Sequence, residues 1–402
     1  MMTVGIVAEY NLFHNGHAYQ IEKIRERFGE DCAIIAVMSG NYTERAELAI
    51  LDKWQRAKAA VLSGVNLVLE LPFPYSASSA EFFASAAVAI LDKLGVVDVI
   101  SFGSECGNAA LLSEAAKNML TDEYKKELDR LQSNSSLAAL GYAKICAMAY
   151  EHVFGCRAPE SSSNNILALE YIKAILNRNS RIDIHTILRD GGGYNEENVV
   201  SSDRQSATAI RKLILEDIHS AEEYVPKAAF DVYLDSYNKR LLPTVQDKLD
   251  AAVISSFRLS SPKADVDIHD AAGGLYNRLV SKSREATSIP SLIELCATKK
   301  YTKARIKRAI WYSYFGVTSS DVRPEPEYTQ VLAMDIIGQE LLKKIKKTGK
   351  ITLITKPSDI PAKDAVVRQK LLCDKADEVY QLAKPEPAPP SYAYKSSPFV
   401  KV

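Results

Sequence analysis

The sequence predicts an α/β fold with a doubly wound parallel sheet, followed by a mainly helical segment. Two observations carry this prediction. In the first half of the 402-residue chain, short apolar runs rich in β-branched residues alternate with longer segments whose apolar side chains recur at helical spacing. Such alternation is typical of βα units, which form parallel sheets covered by helices and bind ligands at the carboxyl ends of the strands. Beyond about His219 the pattern is mainly helical and lacks such runs.

The elements follow from local composition, taken in chain order. Strands are predicted at residues 3–8, 33–38, 67–71, 96–102 and 181–187, where apolar and β-branched residues cluster. Helices are predicted from Ala18 onward and at residues 52–62 and 79–94, where apolar side chains fall on one face. A polar, helical insertion is expected at about residues 108–158. The predicted domains are therefore 1–219 and 220–402.

The turn after the first predicted strand carries the strongest chemical signal. It contains His14 and His17 in a His-x-Gly-His pattern, and the next segment is helical. Gly16 permits a close approach of the backbone to a ligand, and the opening amides of the helix favour an anion such as phosphate. The two histidines are then placed to stabilise charge that develops on a reacting phosphate. An isolated His-x-x-His is equally compatible with a metal site or with chance.

Composition excludes several classes of protein. Fifty basic and fifty acidic side chains give a formal net charge of zero, so a nucleic acid must be bound by local patches. The six cysteines include no Cys-x-x-Cys pair, which favours reduced thiols in the cytoplasm over disulfides or a structural metal. No apolar run approaches the roughly 20 residues that span a bilayer, so no membrane segment is expected.

The histidine motif at a first strand-to-helix turn resembles that of the nucleotidyltransferase superfamily, whose fold is Rossmann-like. Further motifs are similar to those of the bacterial tRNA(Met) cytidine acetate ligase family, and the resemblance covers nearly the whole chain. These motifs are Glu9-Tyr10-Asn11, Met38-Ser39-Gly40-Asn41, Asp52-Lys53-Trp54, Glu70-Leu71-Pro72, Phe102-Gly103-Ser104-Glu105, Asn164-Asn165, Ser206-Ala207-Thr208-Ala209-Ile210-Arg211, Tyr301-Thr302-Lys303-Ala304-Arg305-Ile306 and Val331-Leu332-Ala333.

This resemblance implies a cytoplasmic ligase that uses ATP and Mg²⁺. It implies that acetate is activated as acetyl-adenylate and that the acetyl group is then transferred to N4 of the wobble cytidine of elongator tRNA(Met), giving N4-acetylcytidine. The implied partners are ATP, acetate and this tRNA, and His14 and His17 are the implied catalytic residues.

The expected ATP-binding residues lie at strand ends and at helix starts. Gly103 lets a flat adenine approach the backbone, and Asn164 offers both a donor and an acceptor, although it also suits a helix cap. Arg189 presents a fixed charge, and Ser206, Thr208 and Arg211 open an amphipathic helix whose amino end suits phosphates. The complete expected set is Val7, Ala8, Glu9, Tyr10, Asn11, Gly16, Gly103, Asn164, Arg189, Ser206, Thr208 and Arg211, and no residue is expected to bind a metal.

A dense cationic run in the second half is the best candidate for contact with RNA. Residues 299–308 contain six cations, among which Lys303, Arg305 and Arg308 are the expected tRNA-binding residues. A solvated helix face is the usual alternative explanation of such a run. The Pro-rich segment 384–398 is expected to be an extended or loosely ordered tail.

The chain departs from the family pattern at two places. Leu12 stands where the family usually has proline, and residues 44–48 read Glu-Arg-Ala-Glu-Leu where the family typically has Gln-Arg-Gly-Glu-Pro. Arg45 is retained, so a contact with phosphate or tRNA there stays open. Three other functions also stay open: a small-molecule adenylyltransferase, a ligase of acetate to a protein lysine, and a non-catalytic module that binds a nucleotide or tRNA.

Overall fold

The structure is a computed structural model that describes residues 1–134, 137, 140, 142–159, 163–188, 205–387, 389 and 391–402. Its centre is one mostly parallel sheet with helices packed against it, so the predicted α/β fold class is confirmed. The strands are β1 Thr3–Ala8, β2 Ala33–Ser39, β3 Leu67–Leu71, β4 Val99–Ser104, β5 Asp183–Leu188, β6 Tyr328–Met334, β7 Thr352–Ile354 and β8 Phe399–Val400.

The helices cover the faces of the sheet and form the second half of the molecule. Those of the first half are α1 Asn15–Phe28, α2 Lys53–Leu62, α3 Ala80–Leu94, α4 Ala109–Met119, α5 Asp122–Gln132, α6 Tyr142–Phe154, α7 Ser163–Asn177 and α8 Ala207–Glu216. Those of the second half are α9 Lys227–Asn238, α10 Asp250–Leu259, α11 Leu275–Lys282, α12 Ile289–Cys296, α13 Lys303–Phe315, α14 Ser319–Val322, α15 Ile336–Thr348, α16 Asp364–Gln381 and α17 Tyr392–Lys395.

The order of the strands fixes where a ligand binds. It runs β5-β4-β1-β2-β3-β6-β7, and β1 pairs in parallel with both β2 and β4. The chain therefore leaves β1 toward one edge of the sheet and returns at β4 toward the other edge. Such a reversal opens a crevice at the carboxyl ends of the two central strands.

The second half of the chain completes this sheet, which the sequence analysis did not expect. Strand β6 pairs antiparallel with β3, and both β7 and β8 pair in parallel with β6. The chain after about His219 is mainly helical, as predicted, but it also supplies three strands that the sequence analysis did not identify. The cause is the polar content of β6, where buried Thr329 and Gln330 break the apolar run and Thr329 donates to the carbonyl of Glu70 at 2.6 Å. The domain boundary near residue 219 stays a prediction.

A buried ionic cluster joins the two halves. The Lys53 ammonium on α2 lies 2.7 Å from Glu70 on β3 and 2.6 Å from Asp377 on α16, and all three side chains are buried. Burial alone lowers the pKa of Lys53, but the two carboxylates outweigh burial and raise this pKa. Glu70, Cys373 and Asp377 approach one another as metal ligands do. Because Lys53 supplies the cation at this place, the cluster is an ion-pair site.

Three local expectations are corrected. Helix α1 begins at Asn15 rather than at Ala18, because His14 caps its amino end. Strand β4 covers Val99–Ser104 rather than 96–102, so Gly103 lies within the strand. The segment after 384 is not simply a loose tail, because the buried Lys384 ammonium binds Asp52 at 2.7 Å and β8 joins the sheet.

Candidate active site

A cavity of about 220 Å³ lies at the carboxyl ends of β1 and β4, where the strand order predicts a ligand site. Its lining combines the loop after β1, the first turns of α1, α7 and α8, and part of the loop after β2. The residues are Val7, Ala8, Glu9, Tyr10, Asn11, His14, Gly16, His17, Tyr19, Gln20, Thr43, Arg45, Glu47, Phe102, Gly103, Asn164, Leu167, Tyr171, Ile187, Leu188, Gln205, Ser206, Ala207, Thr208 and Arg211.

The two histidines form a reciprocal cap at the start of α1. His14 Nδ1 accepts the backbone N–H of Gly16 at 3.1 Å, and His17 Nδ1 accepts the backbone N–H of His14 at 3.2 Å. The ring centroids lie 3.9 Å apart. Because Nδ1 is an acceptor in both rings, each neutral ring carries its proton on Nε2. The pair therefore presents N–H donors of fixed tautomer at the amino end of a helix, where an anion is also favoured.

The glycine between the histidines is required by space. A Cβ atom on Gly16 would lie 2.9 Å from Cε1 of His14 and 3.1 Å from its Nδ1. Any side chain at this position would displace the ring that caps the helix. The spacing His-x-Gly-His thus serves the packing of His14 as well as the approach of a ligand.

Tyr233 on α9 holds the loop before the histidines. Its hydroxyl accepts the backbone N–H of Phe13 at 2.9 Å and donates to the carbonyl of the same residue at 3.1 Å. Both side chains are buried, as is Leu12. The departure from proline at position 12 is therefore accommodated as a buried apolar contact.

The lining includes apolar side chains from β4, β5 and α7, which suit contact with an aromatic base. Gly103 exposes backbone there, and Leu167 and Tyr171 lie beside Asn164 at intervals of about one helical turn along α7. Asn164 is oriented by Glu105, whose Oε1 accepts the Asn164 side-chain N–H at 2.5 Å. The other carboxylate oxygen of Glu105 accepts the backbone N–H of Asn165 at 3.1 Å, so Glu105 caps α7.

The start of α8 brings a positive charge into the lining. Ser206 is the N-cap of α8, and its hydroxyl accepts the backbone N–H of Ala209 at 3.1 Å. The Arg211 guanidinium donates to the carbonyl of Asn11 at 2.7 Å and to the hydroxyl of Thr208 at 3.0 Å. These contacts fix Arg211 between the loop after β1 and the start of α8, where phosphate oxygens would meet both a charge and helix amides.

A buried arginine fixes the carboxyl ends of β1 and β2. The Arg56 guanidinium on α2 donates to the carbonyl oxygens of Glu9, Ser39, Gly40 and Leu51, and Arg56 is fully buried. These carbonyls belong to the loops after β1 and β2. Arg56 therefore sets how these two loops face each other at the cavity.

The loop after β2 forms a turn that reaches the cavity with three side chains. Thr43, Arg45 and Glu47 line the cavity, and Tyr42 pairs with Leu48 across the loop. Ala46 has a φ of 54°, in the left-handed region that favours glycine. The departures at Ala46 and Leu48 thus leave a closed loop in place, with the Ala46 N–H donating to the Thr43 carbonyl at 2.8 Å.

Helix α13 of the second half supports this loop. Lys307 pairs with Glu47, and the Trp311 indole N–H donates to the Ala46 carbonyl. Tyr42 packs edge-on against Trp311, with ring centroids 5.2 Å apart. The helical half therefore forms one side of the cavity through the loop that it carries.

The structure brings together most of the predicted site residues. Thirteen of the fourteen residues predicted to be catalytic or ATP-binding line the cavity. They are Val7, Ala8, Glu9, Tyr10, Asn11, His14, Gly16, His17, Gly103, Asn164, Ser206, Thr208 and Arg211. Arg189 lies outside the described residues. Their roles stay predictions.

The predicted tRNA-binding residues lie apart from the cavity, on α13. Arg305 donates to the carbonyls of Asp270 and Ala272 at 2.9 and 3.0 Å, and Arg308 pairs with the Asp270 carboxylate at 2.5 Å. Lys303 is exposed and pairs with Glu294. The two arginines thus also hold the loop before α11, and their contact with tRNA stays a prediction.

Sequence reasoning missed several lining residues that local periodicity could have indicated. Tyr19 and Gln20 follow His17 within one turn of α1, and Leu167 and Tyr171 share a face with Asn164. Thr43, Arg45 and Glu47 also line the cavity, but they lie in or beside a turn and carry no periodic signal. Tyr233 and Arg56 likewise carry no local signal because their partners are distant in sequence.

Comparison with known proteins places this geometry in a family. The family model described as HIGH Nucleotidyl Transferase matches residues 1–393. A tRNA(Met) cytidine acetate ligase of Acetivibrio thermocellus is 35% identical over 96% of this chain and 96% of its own length. The chain belongs to the tRNA(Met) cytidine acetate ligase family. A second member, from Caldicellulosiruptor bescii, is 37% identical over 89% of this chain and 87% of its own length.

Solved structures agree with this family assignment. The apo structure of Thermotoga maritima TmcAL superposes with a TM-score of 0.92 at 30% identity and covers both chains completely. The same protein bound with alpha-thio ATP gives a TM-score of 0.89 at 29% identity, again over both full chains. The family resemblance inferred from the motifs is thereby confirmed, as is the expected class of enzyme, a ligase. Within the described residues no helix is both long and apolar enough to cross a bilayer.

Proposed function

We propose that this chain activates acetate with ATP and acetylates N4 of the wobble cytidine of elongator tRNA(Met). The observation that carries the proposal is the cavity at the β1–β4 crevice, whose lining combines the paired histidines with apolar side chains and with the Arg211 charge at the start of α8. The proposal is supported by relatives named tRNA(Met) cytidine acetate ligase and by a structural neighbour bound with alpha-thio ATP. A tRNA substrate and free cysteine thiols are both typical of an enzyme of the cytoplasm.

In the first half-reaction an acetate oxygen attacks the α-phosphate of ATP, and the bond from the α-phosphorus to pyrophosphate breaks. Adenine lies against Gly103 and Tyr171, with Asn164 at the base or the ribose. The β- and γ-phosphates meet the start of α8, with Ser206 and Thr208, and the Arg211 charge. His14 and His17 donate from Nε2 to oxygens whose charge grows in the transition state, which lowers the barrier.

The lining offers Mg²⁺ no carboxylate that is away from a cation. Glu9 has three arginines around it, and Glu47 pairs with Lys307. These residues therefore do not fit a metal held by the protein among the described residues. Mg²⁺ is expected to enter on the phosphates of ATP, with water completing its shell.

In the second half-reaction the N4 amine attacks the acetyl carbonyl, and AMP leaves. A wobble base is unpaired in the free tRNA, so presenting it in the cavity costs little. We place the tRNA on the side of α13, because this helix carries the cationic run and supports the loop that lines the cavity.

The test is a measurement of ATP consumption with isotope-labelled acetate, with and without bulk tRNA, followed by mass-spectrometric analysis of nucleosides. AMP, pyrophosphate and N4-acetylcytidine are the expected products. ADP with acetyl phosphate would contradict the first step, and a stable, released adenylylated small molecule would indicate an adenylyltransferase instead. Acetylated protein lysine without acetylated tRNA would redirect the second step, and absence of ATP consumption would indicate a binding module.

A further inference from the structure

Two carboxylate residues meet where the loops after β1 and β2 face each other. One oxygen of the Glu9 carboxylate accepts the backbone N–H of Glu44 at 2.8 Å. Glu9 lines the same cavity as His14 and His17, whereas Glu44 lies outside its lining. Glu9 is thus held at a defined position next to the reacting groups.

Glu9, which the sequence analysis groups with the ATP-binding residues, is poorly suited to contact the phosphates of ATP. A carboxylate accepts hydrogen bonds and does not donate them, and its negative charge repels phosphate oxygens in a partly buried cavity. The phosphate-binding groups of this cavity are instead the histidines, the start of α8 and Arg211. A carboxylate among these groups is suited to a reaction step that needs a proton acceptor.

The transfer of the acetyl group is such a step, because the amine must lose a proton. We propose that the Glu9 carboxylate accepts this proton, an inference that rests on the proposed function. The lone pair of N4 attacks the acetyl carbon, and the bond from that carbon to the AMP oxygen breaks. AMP leaves with the bonding electron pair, one N4 proton moves to a Glu9 oxygen, and solvent then takes it.

The charges around Glu9 suit this role. Burial raises the pKa of Glu9, while the Glu44 N–H and the charges of Arg211, Arg56 and Arg45 lower it. These groups come from the loop after β2, from α2 and from α8, so they surround the carboxylate. Burial is the largest of these effects, so the pKa of Glu9 lies above its usual value, which makes its carboxylate a stronger proton acceptor than an exposed one.

The position of Glu9 also suits the approach of the tRNA. Glu44 binds Glu9 through its backbone N–H, and the charge of Arg308 on α13 acts to lower the pKa of the Glu44 carboxyl. The same loop contacts α13 through Lys307 and Trp311. Glu9 is therefore linked, through the loop after β2, to the helix with the cationic run.

The experiment separates the two half-reactions. Acetate-dependent exchange of labelled pyrophosphate into ATP measures adenylation, and rapid mixing of the enzyme with preformed acetyl-adenylate and tRNA measures transfer. Glu9→Gln is expected to keep exchange within about threefold and to slow transfer by about 10²–10⁴-fold, the usual contribution of a general base. Loss of exchange in Glu9→Gln would assign this residue to ATP binding and overturn the proposal, as would an unchanged transfer rate.

The pH profile distinguishes a proton acceptor from a structural residue. In the unmodified enzyme the single-turnover transfer rate should fall as Glu9 becomes protonated at low pH, and this limb should vanish in Glu9→Gln. Glu9→Asp, which keeps the carboxylate, should retain the limb at a lower rate. Absence of such a limb in the unmodified enzyme overturns the proposal even if every Glu9 variant is unstable.

Glu44→Gln is the matched control, because it removes a neighbouring carboxylate and keeps the backbone N–H that binds Glu9. It is expected to transfer acetyl within about threefold of the unmodified rate. A loss in Glu44→Gln as large as that in Glu9→Gln would contradict the assignment to Glu9. If the unmodified enzyme shows neither exchange nor transfer, the proposed function fails rather than the role of Glu9.

Discussion

The indole Nε1–H of Trp311 on α13 donates a 3.0 Å hydrogen bond to the carbonyl oxygen of Ala46, in the loop after β2. Both residues are buried, and they are 265 positions apart in the chain. This bond fixes the loop that carries Thr43, Arg45 and Glu47 into the cavity. The helical second half therefore shapes the nucleotide site as well as supporting the sheet.

Trp311→Phe should loosen this loop while keeping an aromatic ring in place. An unsatisfied buried carbonyl costs about 1–3 kcal/mol, so the free energy of unfolding should fall by that amount. Denaturant unfolding measures it, and acetyl transfer should slow because the loop is less fixed. Tyr312→Phe is the control on the same helix, since its hydroxyl donates to Ala77 at 3.1 Å, in another loop. Equal losses of transfer activity in the two variants would show a general effect of stability.

His17→Ala should lower turnover by about 10²–10³-fold with little loss of affinity for tRNA. The reason is that His17 is expected to stabilise charge in the transition state of adenylation. Steady-state AMP formation and filter binding of tRNA measure the two quantities. The variant also removes the acceptor of the His14 N–H, so thermal unfolding should accompany the assay. Turnover equal to that of the unmodified enzyme would remove His17 from the mechanism.

Charge reversal at Arg305 and Arg308 should weaken tRNA binding and flatten its salt dependence by about one to two counterions. ATP binding in the absence of tRNA should persist, because these residues lie outside the cavity lining. Filter binding across a salt series and calorimetric titration of ATP measure the two effects.

The comparison variant reverses Lys343 and Lys347 on α15, which changes the net charge equally. Helix α15 follows Asp335, whose N–H binds the Asn66 carbonyl at the amino end of β3, opposite the cavity. A smaller loss of tRNA affinity is expected there. Unchanged affinity for tRNA in the Arg305 and Arg308 variant would show that these residues only hold the loop at Asp270. Loss of ATP binding would show that the fold is disturbed.

Titration of the Glu44 carboxyl should make the free energy of unfolding depend on pH. Burial, followed by the Glu9 charge, raises its pKa from the usual 4.5 of a glutamate to about 7 in the folded protein. Between these values the folded state binds more protons than the unfolded state, so the free energy of unfolding falls as pH rises from about 4.5 to 7. The stability of Glu44→Gln, relative to the unmodified protein, should therefore rise over this range and level off above it. Denaturant unfolding at a series of pH values measures this difference, and a difference that does not vary with pH would contradict the assignment.

The sequence by itself determined the elements whose signal is local. The β-branched runs predicted β1, β2 and β3 nearly to the residue, and the His14–His17 spacing pointed to the turn after β1, which lines the cavity. Gly103, Asn164 and Ser206 were found because strand ends and helix starts carry characteristic residues. Family resemblance supplied the chemistry that spacing alone left open.

Only the tertiary structure decided the features whose partners are far apart in the chain. Strand β6 was missed because Thr329 becomes a buried sheet residue only when it meets Glu70. In the sequence, Arg305 and Arg308 are indistinguishable from exposed cations. In the structure both side chains bind Asp270 in the loop before α11. Burial, hydrogen bonding and pairing of charges depend on which groups come within a few ångströms of one another. Sequence periodicity reports one face of an element, and it does not report what covers that face.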